Sequence, residues 1–160
     1  EIGEMIRNWS GVPGYTTSTS VIAGVRALGM QRIFMLSPYT ADIHAQEVEF
    51  FRYRGIEVVA DDTFACTDTV QIRDIPSEVM AERVLSHRAA IDACDGVFVS
   101  CTNLLTMDQI ERLERELGKP VASSNQCTLW MALRHMGVDT RGMGLGKLYE
   151  TAGTGVKQAA

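Results

Sequence analysis

A thiol, a phenol, several hydroxyls and a few side-chain amides fall at the ends of short apolar runs in this chain of 160 residues. Val97-Phe98-Val99-Ser100 leads into Cys101-Thr102-Asn103, and Arg32 to Leu36 leads into Ser37-Pro38-Tyr39. Val121-Ala122 leads into Ser123-Ser124-Asn125-Gln126, and Ile56 to Ala60 leads into Asp61-Asp62. A cysteine in such a place, with a helix starting a few residues on, lies where a helix N-terminus favours its thiolate. Backbone N–H groups of the same loop are placed to hold a carboxylate oxygen. One loop can therefore bind an acid and move its proton, and Tyr39 adds a phenolic donor for a substrate oxygen. Each of these residues also has a plainer use. Free cysteine often serves as a small buried hydrophobe. A Ser/Asn cluster between strand and helix is an ordinary N-cap, and a tyrosine after a proline turn can be a surface ring.

The elements that must position these loops alternate along the chain. Ile2 to Trp9 reads as the end of a helix, closed by Gly11 and Pro13. The hydroxyl cluster Thr16 to Ser20 can cap a helix starting near Thr19, with Val21, Val25 and Leu28 at helical spacing and Gly29 as its stop. Arg32 to Leu36 is a short buried strand, and Asp42 to Arg54 a helix with Ile43, Val48 and Phe51 inward. Ile56 to Ala60 is the second strand, Asp61 to Asp74 a polar stretch, and Ser77 to about Ala93 a helix opened by Pro76. Val97 to Ser100 is the third strand. The amphipathic helix Thr106 to Leu117 follows, ending at Gly118 with Pro120 beyond it. Val121 to Ser123 is a fourth strand and Gln126 to His135 the last clear helix. Four β-α repeats predict an α/β fold, a three-layer αβα sandwich around a four-stranded, mainly parallel sheet. The expected strand order is flavodoxin-like, with the first strand beside the second and third, and ligands bind beyond the carboxyl ends of such strands. Residues 1–150 read as a single lobe and 151–160, rich in Gly, Ala and Thr, as a flexible tail.

Composition narrows the partners. A net charge of −5 gives no basic footprint for nucleic acid. No apolar run approaches the roughly 18 residues of a membrane span, and no signal peptide is visible. The four cysteines, Cys66, Cys94, Cys101 and Cys127, show no CxxC pair, which speaks against a metal or disulfide framework and fits a reducing cytoplasm. Cys94 and Cys127 read as structural, and Cys66 as exposed in the polar stretch. His44, His87 and His135 fall inside predicted helices, away from the strand-end loops, so none reads as a catalytic base. Gly142 to Gly146 is glycine-rich but lacks the preceding strand of a dinucleotide loop.

The segment Val97 to Thr106 (VFVSCTNLLT) resembles the second-lobe cysteine loop of the aspartate/glutamate racemase superfamily. The likeness continues through Leu117-Gly118-Lys119-Pro120-Val121, Ser123-Ser124-Asn125-Gln126 and Trp130. It also takes in Ala27-Leu28-Gly29, Ser37-Pro38-Tyr39 and the closing Gly144-Leu145-Gly146-Lys147-Leu148. Within the superfamily the chain is most similar to arylmalonate decarboxylases and maleate cis-trans isomerases. The resemblance implies a fold of two similar lobes with the active site between them, this chain being the second and residues 1–12 the end of the first lobe's last helix. It implies chemistry without metal or organic cofactor, on a small carboxylic or dicarboxylic acid, at the carbon next to a carboxylate. Cys101 matches the proton-transferring thiol, Tyr39 a tyrosine that binds a substrate carboxylate, and Thr102 the position whose backbone amide helps to hold that group. Ser37, Asn103 and Ser123 join them as candidate substrate-binding residues from their strand-end positions. The residue that faces the thiol in the family belongs to the first lobe, and it separates decarboxylase from racemase and isomerase. The pocket is therefore expected to be completed by a first lobe or by another chain, self-association being one route. The competing expectation is an α/β domain that binds a small carboxylate without catalysis, since fold does not fix function.

Overall fold

From Ile33 to Ser37 every residue of the first strand, β1 (Arg32–Ser37), is buried. Burial on both faces is what a parallel sheet covered by helices requires. The computed structural model describes residues 2–151. β1 pairs in parallel with β2 (Glu57–Thr63) on one side and β3 (Gly96–Val99) on the other, and β3 pairs in parallel with β4 (Val121–Ser123). The order β2-β1-β3-β4 is the flavodoxin-like one.

Alternation along the strands divides the core in two. Ile33, Met35, Phe98 and Ala122 face α2 (Thr17–Ala27), α3 (Ala41–Tyr53), α8 (Ser124–His135) and α9 (Lys147–Glu150), which contribute Val25, Phe51, Trp130 and Tyr149. Phe34, Leu36, Val97, Val99 and Val121 face the other way. That face is covered by α4 (Thr69–Arg73), α5 (Ser77–Ser86), α6 (Arg88–Ile91) and α7 (Ile110–Leu117), through Ile72, Met80, Ile91 and Leu113. The result is three layers. α1 (Ile2–Ser10) stands before them and buries none of its residues.

Several boundaries differ from the sequence reading, each for a local reason. α2 starts at Thr17, because Thr16 and Thr19 close a reciprocal capping box. β2 runs on through Asp61 and Asp62 to Thr63, in register with β1 up to Ser37. Its acidic residues stay in the strand because polar partners meet them: Asp62 receives Arg83 at 2.9 Å and lies 2.7 Å from His87 Nε2, and Asp61 lies 2.9 Å from His44 Nε2. The helix read as Ser77 to Ala93 breaks at His87, whose φ of −97° and ψ of 17° leave the helical region. The amphipathic helix begins as a 3-10 turn, Met107–Gln109, before α7. The short α4 and α9 lie below the length that periodicity can signal. Of the expected tail, residues 152–160 lie outside the described residues. No helix among the described residues is long and apolar enough to cross a membrane.

Two polar ties, one at the surface and one buried, hold the layers in register. Asp95 Oδ2 accepts N–H bonds from Gln31 at 3.0 Å and Arg32 at 2.7 Å, pinning the entry of β3 to the entry of β1. Glu114, buried on α7, accepts from Val121 N at 3.0 Å with one oxygen and from Lys147 N at 2.9 Å with the other.

α2 and α8 pack closely enough that a Cβ on Gly24 would stand 2.5 Å from Cys127 Sγ. Gly24→Ala should therefore lower stability by about 1–3 kcal/mol, although alanine is the better helix former. Adding Cys127→Ala should restore most of the loss. Urea unfolding of both variants measures this, and an unaltered or raised midpoint for the single variant would contradict the tight crossing.

Candidate active site

Ser100 N donates to Leu36 O at 2.8 Å, which extends the β1–β3 pairing by one residue past the end of β3. Two chain segments consequently leave the sheet side by side: Ser37-Pro38-Tyr39 after β1 and Cys101-Thr102-Asn103 after β3. They open onto a cleft of about 460 Å³ at the carboxyl ends of the strands. Tyr39, Glu47, Ser100, Cys101, Thr102 and Ser124 line its polar part, and Val21, Ile43, Phe50 and Phe98 its apolar part.

Cys101 is buried and adopts a φ of 90°, a conformation that side chains rarely take. Its N–H donates to Ser124 Oγ at 3.1 Å, at the first turn of α8. Its sulfur accepts the backbone N–H of Asn103 at 3.3 Å. Helical structure resumes only at Met107, so this backbone N–H is the donor that accompanies the sulfur locally. The turn back from Cys101 to Asn103, with the Ser124 hydroxyl behind it, holds the thiol at the cleft wall.

Tyr39 is half-buried beside the thiol. Burial is the main cause that raises its pKa, and Cys101, Glu47 and the hydrogen-bonding contact with Cys101 add to it. The ring therefore remains a neutral phenol and a donor at physiological pH. Its backbone is held from several sides: Thr63 Oγ1 donates to Tyr39 O, Cys66 N donates to Pro38 O at 2.8 Å, and Phe64 N donates to Ser37 O at 3.0 Å.

Of the residues singled out from the sequence, Cys101, Tyr39 and Thr102 reach the cleft. The other three are not part of its lining: Ser37 and Ser123 are buried and Asn103 is exposed. Ser37 is fully buried, with its hydroxyl 2.7 Å from His44 Nδ1 and accepting Tyr39 N at 3.4 Å. Ser123 is also fully buried, accepting from Gln126 N at 3.2 Å as the N-cap of α8 and from Thr106 Oγ1 at 2.9 Å. Asn103 donates its side-chain amide to Thr69 O at 2.8 Å, tying the cysteine loop to α4.

Two groups escape the sequence reading. His44 bridges Ser37 and Asp61, with Nε2 2.9 Å from Asp61 Oδ1, and so fixes the β1 loop from its far side. Glu47 lies one turn further along α3, on the cleft wall, where Oε1 accepts the Ser100 hydroxyl at 2.6 Å. Its other oxygen, Oε2, is buried without a hydrogen-bond partner. Burial pushes the Glu47 carboxyl above the usual carboxylate range, against the opposing pull of Ser100 and His44. The available signal was the i, i+4 spacing of Ile43, Glu47 and Phe51, which puts an acid on a largely apolar helix face. All four cysteines are free thiols, and burial pushes Cys127 up to about 12. Among the described residues no group of three or more His, Cys, Asp or Glu side chains is arranged to hold a metal ion.

A family profile for arylmalonate decarboxylase matches residues 1–149. The arylmalonate decarboxylase of Bordetella bronchiseptica is 29% identical over 146 residues, which are 91% of this chain and 61% of that enzyme. A maleate isomerase of Alcaligenes faecalis is 24% identical over 133 residues, 81% of this chain and 51% of its own. Among solved structures, a maleate isomerase from Pseudomonas putida S16 crystallised with maleate superposes with a TM-score of 0.87 at 26% identity, covering 94% of this chain and 62% of that one. An unliganded arylmalonate decarboxylase superposes with a TM-score of 0.84 at 28% identity, covering 94% and 66%. The chain thus spans between half and two thirds of the length of these relatives.

The backbone at Cys101 makes an unusual ordering of variants expected. Holding a side chain at φ of 90° costs about 1–3 kcal/mol, against about 0.4–1 kcal/mol for the extra freedom glycine gives the unfolded chain. Cys101→Gly should therefore be more stable than Cys101→Ala by about 1 kcal/mol, the reverse of the usual order. Thermal unfolding of the pair decides it, and an alanine variant that melts higher would show the loop to be unstrained.

Proposed function

The chain belongs to the arylmalonate decarboxylase family, and from that premise we propose that it carries the proton-transferring lobe of an enzyme acting at the carbon alpha to a carboxylate in a small carboxylic or dicarboxylic acid. The observation that supports this reading most directly is the juxtaposition of the Cys101 thiol with the neutral phenol of Tyr39 on one cleft wall. Taking a proton from such a carbon, or losing carbon dioxide from it, leaves an enediolate whose charge spreads over two oxygens. Fixed donors at those oxygens are the largest contribution a site of this kind can make. Tyr39 O–H and the backbone N–H of Thr102 are assigned to the substrate carboxylate. Cys101 stands to one side of the carbon as the acid that delivers the proton, or as the base that removes it. Delivery from one fixed wall gives one stereochemical outcome. The apolar part of the cleft, with Phe50 and Phe98, suits a hydrocarbon substituent on that carbon.

No organic cofactor or metal has a part in this scheme, because the thiol and the donors handle the proton and the charge between them. The opposite wall is assigned to a complementing lobe, since the relatives carry a further third or more of chain. Whether that wall presents a second thiol decides between decarboxylation, isomerisation and racemisation.

With the intact protein, disubstituted malonates should lose carbon dioxide, with one deuteron entering the alpha carbon as read by NMR in deuterium oxide, or maleate should convert to fumarate, which takes up no proton overall. Cys101→Ala should lower the rate by on the order of 10²–10⁴, the contribution of a positioned acid or base. Tyr39→Phe should lower it by about 10²–10³, the effect of one lost oxyanion donor. If neither acid reacts while a dicarboxylate still protects Cys101 from alkylation, the domain binds carboxylates without transforming them.

A further inference from the structure

Cys101 gives up a proton in each productive cycle of the proposed reaction and must recover it, which raises the question of where that proton comes from. The thiol is buried except where it meets the cleft. Tyr39 lies against both Cys101 and Ser100, and Ser100 Oγ is 2.6 Å from Glu47 Oε1. All four line the same cleft. Glu47 is the one carboxyl on that wall, and its Oε2 has no hydrogen-bond partner although it is buried. A buried carboxylate oxygen left without a donor is costly, whereas a carboxylic acid is tolerated much better there. Its side chain as a whole is only partly covered, so solvent protons can reach it.

We infer that Glu47 is the proton store for Cys101, exchanging protons with the thiol through the Ser100 hydroxyl and the Tyr39 phenol. The inference rests on the proton-transfer role proposed above for Cys101. After the thiol has protonated carbon, the thiolate takes the Tyr39 proton, Tyr39 takes that of Ser100, and Ser100 takes that of Glu47, in one concerted shift. Water returns a proton to the Glu47 carboxylate. Only O–H and S–H bonds are exchanged, with no oxidant and no net change in charge. Glu47 is thus a positioning residue that acts through Ser100 and Tyr39. The groups that face it are few. His44 stands one turn earlier on α3, with Asp61 of β2 behind it, Tyr39 follows β1, and Ser100 and Cys101 follow β3. α2 and α8 bring Thr17, Ser18 and Ser124, none of which ionises at working pH.

The test is the pH profile of Cys101 alkylation by iodoacetamide, mapped by mass spectrometry on the intact protein, for wild type, Glu47→Gln and Ser100→Ala. A carboxylate near the sulfur slows formation of the reactive anion. Glu47→Gln should therefore react about fivefold faster than wild type on the alkaline side of the Glu47 titration, where wild type carries the charge, and at the same rate on the acid side, so that this inflection is lost. Ser100→Ala keeps the acid but removes the donor that steadies its anion, so the inflection should move to higher pH. In turnover, both variants should complete the first cycle at the wild-type rate and slow by on the order of 10²-fold in later cycles. Superimposable alkylation profiles for wild type and Glu47→Gln would overturn the inference. Should Glu47→Gln fail to fold by circular dichroism, an unshifted Ser100→Ala profile overturns it equally. A wild-type protein that turns over neither malonates nor maleate sinks the functional reading alone, because the alkylation profile reports on Glu47 without any substrate.

Discussion

The pairing of β1 with β3 carries the rest of the structure. Both strands are buried on both faces, so each has a single register in which its apolar side chains meet the two helical layers. That register, continued by the bond from Ser100 N to Leu36 O, fixes where each chain turns away from the sheet. Tyr39 and Cys101 meet because the strands beneath them end together. A slip of one residue would exchange the two faces of a strand and also move the thiol away from the phenol.

Behind the cleft stands a layer of polar groups that never reach it. Ser37, His44 and Asp61 form one chain of hydrogen bonds, and Thr106, Ser123 and Gln126 another. Apart from the exposed Asp61 and the unpartnered Gln126 Oε1, these groups are buried and hydrogen-bonded, and networks of that kind stiffen what they touch. The loops in front line the cleft, while these hydroxyls and the imidazole hold the loops still.

The sequence pattern was most informative where periodicity speaks. Apolar runs of four to six residues, alternating with amphipathic stretches, identified all four strands, and the short connections led to the observed strand order. The strand-end rule picked out Cys101, Tyr39 and Thr102, which line the cleft. The same rule also gathered Ser37, Asn103 and Ser123, because sequence position tells which residues lie near a strand end but not which way their hydroxyls and amides turn. Ser123 turned inward to cap α8. Glu47 and His44 escaped for the opposite reason: they reach the site from the flank of a helix, where a charged residue ordinarily reads as solvated. Asp61 and Asp62 read as lying beyond β2 because the partners that retain Asp62, Arg83 and His87, lie more than 20 residues away along the chain. Long-range partners of this kind leave no trace in local composition.

The sulfur of Cys101 is met by a main-chain N–H, and the main chain at Cys101 is in turn met by the first turn of α8. A backbone donor is common to every amino acid but proline, so other changes at Thr102 or Asn103 leave this donor to the sulfur in place. The apolar wall, by contrast, is built wholly from side chains on α2, α3 and β3. Heritable variation therefore falls unevenly on this cleft. Under the proposed function, substrate shape can drift through Val21, Ile43 or Phe50 while the sulfur keeps its backbone donor, so a lineage can try new acids without having to reinvent the chemistry.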